Sequence, residues 1–148
     1  MFTEIQKDMT PVLTTKYYHT GLIALYHLMI EADGHVSPKE IEMGELMREQ
    51  EKISTSVFNY TLSQLSNEDK ETILNKCLES LKNCEHELKI KCVAWMSLIA
   101  NSDGFMDASE WTLIYRIYAK ELNLKLDEIM NVQRGLSRAV AQLNNDLY

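Results

Sequence analysis

Two short acidic turns, seventy residues apart, stand out in this chain of 148 residues. The first turn reads Ala-Asp-Gly-His-Val-Ser-Pro-Lys-Glu over residues 32–40, and the second reads Ser-Asp-Gly-Phe-Met-Asp-Ala-Ser-Glu over residues 102–110. Each turn follows an apolar run with helical spacing and precedes another such run. The sequence therefore predicts that a unit of helix, Asp-Gly turn and helix occurs twice, over about residues 12–51 and about residues 84–122.

The rest of the chain also has a helical pattern. Apolar residues recur at helical rather than alternating spacing, and only five glycines and two prolines interrupt them. We expect an all-α fold, a compact helical bundle in which two pseudo-symmetric hairpins of helix, Asp-Gly turn and helix are joined by flanking helices. A chain of this length can bury a hydrophobic core as a single domain, 1–148.

Start signals give the expected helix boundaries. Residues 1–9 have the pattern of a short amphipathic lead-in, and Pro11 suits the first turn of the next helix. Ser54 and Ser66 are predicted to start two helices in the middle of the chain. Asp127 is predicted to cap the last helix.

Composition limits the classes of function. The formal net charge of -7 and the scattered basic residues disfavour nucleic-acid binding, which needs clustered Lys and Arg. The longest apolar segment, 21–30, is too short for membrane insertion, and the first residues lack the apolar stretch of a signal peptide. Cys77, Cys84 and Cys92 lie in helical patterns and are odd in number, which favours buried, reduced thiols in a cytoplasmic protein.

Most of the recurring turn residues have a local structural explanation. Ser37 and Glu40 have the spacing of a capping box, in which two side chains satisfy free backbone N–H groups at a helix start. Asp107 and Glu110 repeat that spacing. Gly34 suits the left-handed conformation that commonly ends a helix. In this interpretation the acidic turns are only helix caps.

Asp33 and Asp103 are harder to explain as caps, because a carboxylate at a helix C-terminus faces the negative end of the helix dipole. Neither turn is a complete EF-hand loop, since an apolar residue stands where the first ligand is needed. A site shared by the two turns could still gather the oxygens that a divalent cation requires, and such ligands favour calcium over zinc. The predicted metal ligands are Asp33, Glu40, Asp103, Asp107 and Glu110.

The sequence contains no recognisable catalytic constellation, so we expect a non-enzymatic protein. None of the four histidines has a glutamate three positions earlier, as di-iron bundles require, and no phosphate-binding loop or nucleophile elbow is present. Trp95, Trp111, Tyr115 and Tyr118 have helical spacing, which predicts positions in the core. An exposed face among them would be the candidate surface for an unidentified protein partner or for a homo-oligomer.

The two turn motifs together resemble those of the TerB family of tellurite-resistance proteins. The resemblance rests on Ala-Asp-Gly-His-Val-Ser-Pro-Lys-Glu-Ile and Ser-Asp-Gly-Phe-Met-Asp-Ala-Ser-Glu, and it extends over about residues 21–136. It implies an all-helical domain, an association with tellurite resistance and stress responses, and an acidic metal-binding surface in place of catalysis. The alternative is a protein–protein interaction scaffold whose turns are only caps. The positions that match the family pattern are Asp33, Gly34, Glu40, Asp103, Gly104 and Glu110.

Overall fold

Helices make up nearly all of the chain that the structure describes. The computed structural model describes residues 2–32, 34, 36–102 and 106–146, and within these ranges it describes side chains between residues 16 and 143. No strand occurs in these ranges, and the predicted all-α fold is confirmed. The elements are α1 (Phe2–Ile30), α2 (Pro38–Gln50), α3 (Thr55–Leu65), α4 (Lys70–Lys82), α5 (His86–Ala100), α6 (Ala108–Tyr115), a π-helical segment (Arg116–Glu121) and α7 (Leu126–Asp146).

The core lies around α5 and the second half of α1. Residues 21–30 of α1 and residues 92–97 of α5 are buried without interruption. Because both segments are buried on every side, other helices must cover them all round. α1 packs along α4 and α5, and α7 packs along α5. Among the described helices, none is both long enough and apolar enough to cross a bilayer.

Two predicted helix starts, at the beginning and the end of the chain, are wrong. α1 continues through Pro11, with no break between a lead-in and a second helix. A proline removes one backbone hydrogen bond, and a long helix can absorb that loss as a bend. α7 begins at Leu126, so Asp127 lies inside the first turn, where its negative charge favours the helix start.

In the middle of the chain, one of the two predicted caps is confirmed. Ser54 caps α3 and accepts a hydrogen bond from a backbone N–H in the first turn. Ser66 closes α3 instead of starting α4, because its hydroxyl donates to the Ser63 carbonyl at 2.8 Å. The cap of α4 is Asp69, whose carboxylate accepts from the Thr72 N–H at 2.7 Å.

The aromatic residues of the second repeat divide between core and surface. Trp95 is fully buried and Tyr118 is 7% exposed, as predicted, but Trp111 and Tyr115 are 44% and 43% exposed. The prediction that all four lie in the core is therefore wrong. Helical spacing alone cannot tell which face is buried, and here Trp111 and Tyr115 each follow by one position a residue that points inward. The inward-facing residues of this segment are Glu110, Ile114 and Ile117.

The turn between α1 and α2 depends on a glycine. Gly34 has a φ of +79°, a backbone conformation that is energetically unfavourable for residues with a side chain. This confirms the predicted left-handed conformation at the end of the first apolar helix. The pseudo-symmetric relation between the two hairpins stays a prediction.

Candidate metal centre

Each acidic turn is followed by a helix with a complete capping box at its N-terminus. At α2, the Ser37 hydroxyl accepts from the Glu40 N–H at 3.0 Å, and the Glu40 carboxylate accepts from the Ser37 N–H at 3.2 Å. At α6, Asp107 accepts from the Glu110 N–H at 3.1 Å, and Glu110 accepts from the Asp107 N–H at 3.3 Å. Both predicted capping boxes are confirmed. Each box fixes the direction in which its glutamate side chain points.

The two capping glutamates meet inside the protein. The Glu40 carboxyl lies close enough to that of Glu110 to raise its pKa, although the residues are seventy positions apart in the chain. Glu40 is 7% exposed and Glu110 is 6% exposed. The Glu110 Oε1 atom accepts the cap hydrogen bond, whereas Oε2 is buried and accepts no hydrogen bond from the described residues. The two turns therefore converge on a pair of buried carboxyls.

This pair is costly when both carboxyls are ionised. Two like charges about 4 Å apart, at the effective dielectric constant of a protein, repel each other by about 4 kcal/mol. Burial and the neighbouring Glu40 carboxyl raise the pKa of Glu110 to about 8 from its ordinary value of 4.5. Near neutral pH, the metal-free pair therefore retains a proton.

Another buried carboxylate, that of Glu51, has both a hydrogen-bond donor and a counter-ion. Glu51, at the end of α2, accepts a hydrogen bond from the Tyr18 hydroxyl at 2.8 Å. The Lys91 ammonium lies 2.8 Å from the other Glu51 oxygen and balances its charge, as an ion pair rather than a well-aligned hydrogen bond. In contrast, no basic side chain within the described ranges forms an ion pair with Glu40 or Glu110. The fold provides a counter-ion for Glu51 and, in these ranges, none for the carboxyl pair.

Tyr26 and Gly44 support the start of α2. The buried Tyr26 hydroxyl donates to the Glu40 backbone carbonyl at 3.4 Å. A Cβ atom at Gly44 would clash with that hydroxyl, so the ring reaches Glu40 because this position has no side chain. The turn motifs do not predict this support from Tyr26 and Gly44. The available signal was a glycine inside a helix, which costs about 1 kcal/mol relative to alanine and often marks a close approach.

The structure brings together two of the five predicted ligands, Glu40 and Glu110. Asp107 lies in the second turn, where one of its carboxylate oxygens caps α6. Asp33 and Asp103 lie outside the described residues. In the part of the chain that is described, no group of three or more His, Cys, Asp or Glu side chains is placed to hold a metal ion. The described portion of the candidate centre is therefore the carboxyl pair.

The three cysteines are buried, as predicted. The Cys77 thiol donates to the Gly21 carbonyl at 3.4 Å, which ties α4 to α1. Burial raises the pKa of Cys77 to about 12, and burial also raises the pKa of Cys92 well above its ordinary range. Because the thiolate is the reactive form, these residues are unreactive core side chains.

Comparison with known families agrees with the pattern of the two turns. The family model described as "Tellurite resistance protein TerB" matches residues 19–134, a range that includes both turns and both capping glutamates. The comparisons with curated proteins and with solved structures give no significant match. Since the family model covers most of its length, this chain belongs to the TerB family.

Proposed function

We propose that this protein is a non-enzymatic, cation-binding member of the TerB family whose two acidic turns together hold one divalent cation. The observation that carries the proposal is the proximity of the buried Glu40 and Glu110 carboxyls, with the Glu110 Oε2 atom accepting no hydrogen bond from the described residues. Buried charged groups are normally paired, hydrogen-bonded or bound to a metal. A bound cation would replace the proton that the pair otherwise retains.

The ligand chemistry favours a hard cation, with calcium ahead of zinc. Carboxylate oxygens are typical calcium ligands, whereas protein zinc sites are built mainly from Cys and His. We assign the central positions to Glu40 and Glu110. Asp33, Asp103 and Asp107 are proposed to add oxygens from the two turns. Calcium takes about six to eight oxygen ligands, so backbone carbonyls and water would complete the set.

Millimolar calcium is expected to raise the Tm of the wild-type protein by about 3 °C, because a ligand that binds only the folded state stabilises it by mass action. Glu40→Gln is expected to abolish this rise. Glutamine also occurs at this position of capping boxes, so the variant removes the charge and keeps the cap. The measurement is thermal unfolding followed by circular dichroism, with and without calcium, after treatment with a chelator.

Two control variants separate the cation from the caps. Glu79→Gln makes the same change of charge on an exposed face of α4, and it should keep the calcium response. Ser37→Ala removes a capping hydrogen bond and keeps the carboxyl pair, so it should lower the Tm and still respond to calcium. If calcium, manganese and magnesium all leave the wild-type Tm unchanged, the turns are only helix caps and the proposal is wrong.

The family and the thiols extend the proposal to a cellular setting. The family description supports a role in tellurite resistance or a related stress response. The three buried, unpaired cysteines support a cytoplasmic location, where thiols stay reduced. In that setting, the cation would stabilise the junction between the two turns.

An exposed aromatic face favours a second candidate function, that of an interaction scaffold. Trp111 and Tyr115 are exposed and pack around Tyr118, with ring centroids 6.3 Å and 5.5 Å from it. Tyr and Trp are enriched among the residues that dominate binding energy at protein interfaces. The partner would be an unidentified protein or a second copy of the chain. Light scattering on the wild type and on Tyr115→Ser tests the second copy: a dimer lost in the variant supports it, and a monomeric wild type excludes it.

A further inference from the structure

A cavity beside α6 is lined by none of the predicted metal ligands. It has a volume of about 190 Å³ and lies where the end of α1, the first turn of α4 and α6 meet. Its apolar wall is formed by Leu28, Ala32, Leu74 and Leu113. Leu28 and Leu74 are almost fully buried, so they form its floor, while Ala32 and Leu113 are partly exposed. The protein therefore presents a concave apolar surface to solvent at this point.

The size of this cavity limits what it can hold. An apolar cavity of about 150 Å³ lined by Leu, Ile and Phe side chains binds benzene, so this one has room for a single ring and a short extension. Sites for larger ligands are usually about 300–1,000 Å³. Nucleotides and dinucleotide cofactors are therefore too large for the cavity.

Charged side chains complete the lining. Lys70 and Arg116 contribute two positive charges, and Glu71 contributes one negative charge. The Arg116 guanidinium lies 3.5 Å from the Glu71 carboxylate, with both side chains largely exposed. A pair of this kind is weak, and a guanidinium has five N–H donors, so most of the donors of Arg116 are free of Glu71. In a chain with a net charge of -7, the cavity is lined by a local excess of positive charge.

We propose that this cavity binds a small carboxylate with an apolar body of about the size of a benzene ring. The apolar body would lie against Leu28, Leu74 and Leu113, and the carboxylate would lie at the opening against Arg116 and Lys70. Arg binds carboxylates through two parallel N–H donors. Burial of the ligand's apolar body against the adjacent apolar surface would add binding free energy that a carboxylate without such a body lacks. The proposal is independent of the cation site, since no residue is shared between them.

The test is a titration with phenylpropionate, followed by NMR chemical shifts of the backbone amides in chelator-treated protein. We expect saturable shifts centred on Leu28, Leu74 and Leu113. Arg116→Gln should weaken binding about tenfold, because it removes a charged hydrogen-bond donor to the ligand. Glu71→Gln should strengthen binding, because Glu71 competes for Arg116 and repels the carboxylate. Phenylpropanol, which has the same apolar body without the charge, should bind more weakly than phenylpropionate.

Two further variants control for general effects. Lys125→Gln removes an exposed positive charge that does not line the cavity, and it should leave the affinity unchanged. Leu113→Phe should fill the cavity and abolish the shifts, while circular dichroism reports whether the variant still folds. The proposal would be overturned by shifts that fail to saturate or that centre on other residues. It would also be overturned if the wild type, Arg116→Gln and Glu71→Gln bound phenylpropionate with equal affinity. These outcomes do not depend on whether Leu113→Phe folds.

Discussion

Glu110→Gln is expected to raise the Tm of the metal-free protein by about 5 °C at about pH 8 and to change it little at about pH 5. Burial and the Glu40 carboxyl raise the pKa of Glu110 to about 8, so the folded protein keeps this proton until the pH approaches that value. The unfolded chain releases it near the ordinary pKa of 4.5. The contribution of the protonated Glu110 carboxyl to the free energy of unfolding is therefore fully present below pH 4.5 and is lost as the pH rises toward 8. Glutamine is neutral throughout and can still serve the cap.

The measurement is thermal unfolding of both proteins across this pH range in the presence of a chelator. Glu79→Gln, which makes the same substitution on an exposed helix face, should follow the wild type at every pH. If Glu110→Gln and the wild type instead lose stability in parallel as the pH rises, Glu110 ionises normally in the folded state. The two carboxyls then do not form the buried pair described above.

Gly44→Ala is expected to lower the free energy of unfolding by about 2 kcal/mol, or the Tm by about 6 °C. In most helix interiors the same substitution stabilises a protein by up to about 1 kcal/mol. At Gly44 the new Cβ atom would clash with the Tyr26 hydroxyl, which must then leave its hydrogen bond with the Glu40 carbonyl. Because this contact positions the start of α2, the variant should also weaken the calcium response.

A matched control for this substitution lies on α7. Gly135 is exposed, and a Cβ atom there would meet no atom within 4 Å apart from its chain neighbours and the backbone of its own helix. Gly135→Ala is therefore expected to stabilise the protein by about 1 kcal/mol, as helix propensity alone predicts. Thermal or urea unfolding of the two variants gives the comparison. Equal stabilisation by both substitutions would show that the Tyr26 ring does not occupy the space beside Gly44.

Local features of the structure could be predicted from the sequence because they depend on residues close together in the chain. A capping box joins positions only three apart, so the boxes at Ser37 and Asp107 follow from the motif itself. The left-handed conformation at Gly34 follows in the same way. The all-α class follows from the period of the apolar residues, which is a property of each segment by itself.

Features that depend on the packing of distant segments were harder to predict. Helical spacing placed Trp111 and Tyr115 on the apolar face of α6, but the neighbouring helices bury the adjacent face instead. Ser66 is a residue type that commonly caps helices, but the residue that caps α4 is Asp69. In such cases the local sequence is compatible with two possible caps or two possible buried faces, and the packing of the neighbouring helices selects between them.

The candidate site lies between these two cases. The repeat of the motif predicted that the two turns act together, and the capping boxes predicted where each glutamate points. The proximity of Glu40 and Glu110 also depends on how α2 and α6 each pack against the core helix α5. No spacing in the sequence encodes that arrangement.

The proposal that Glu40 and Glu110 bind one cation between them can be checked in crystals grown with manganese. Manganese is a hard cation that carboxylates bind and that gives an anomalous X-ray signal. The result that we predict is a single anomalous peak within ligand distance of both carboxylates, absent from crystals of Glu110→Gln. Wild-type crystals in which the two carboxyls contact each other directly, with no anomalous peak beside them at saturating manganese, would contradict it.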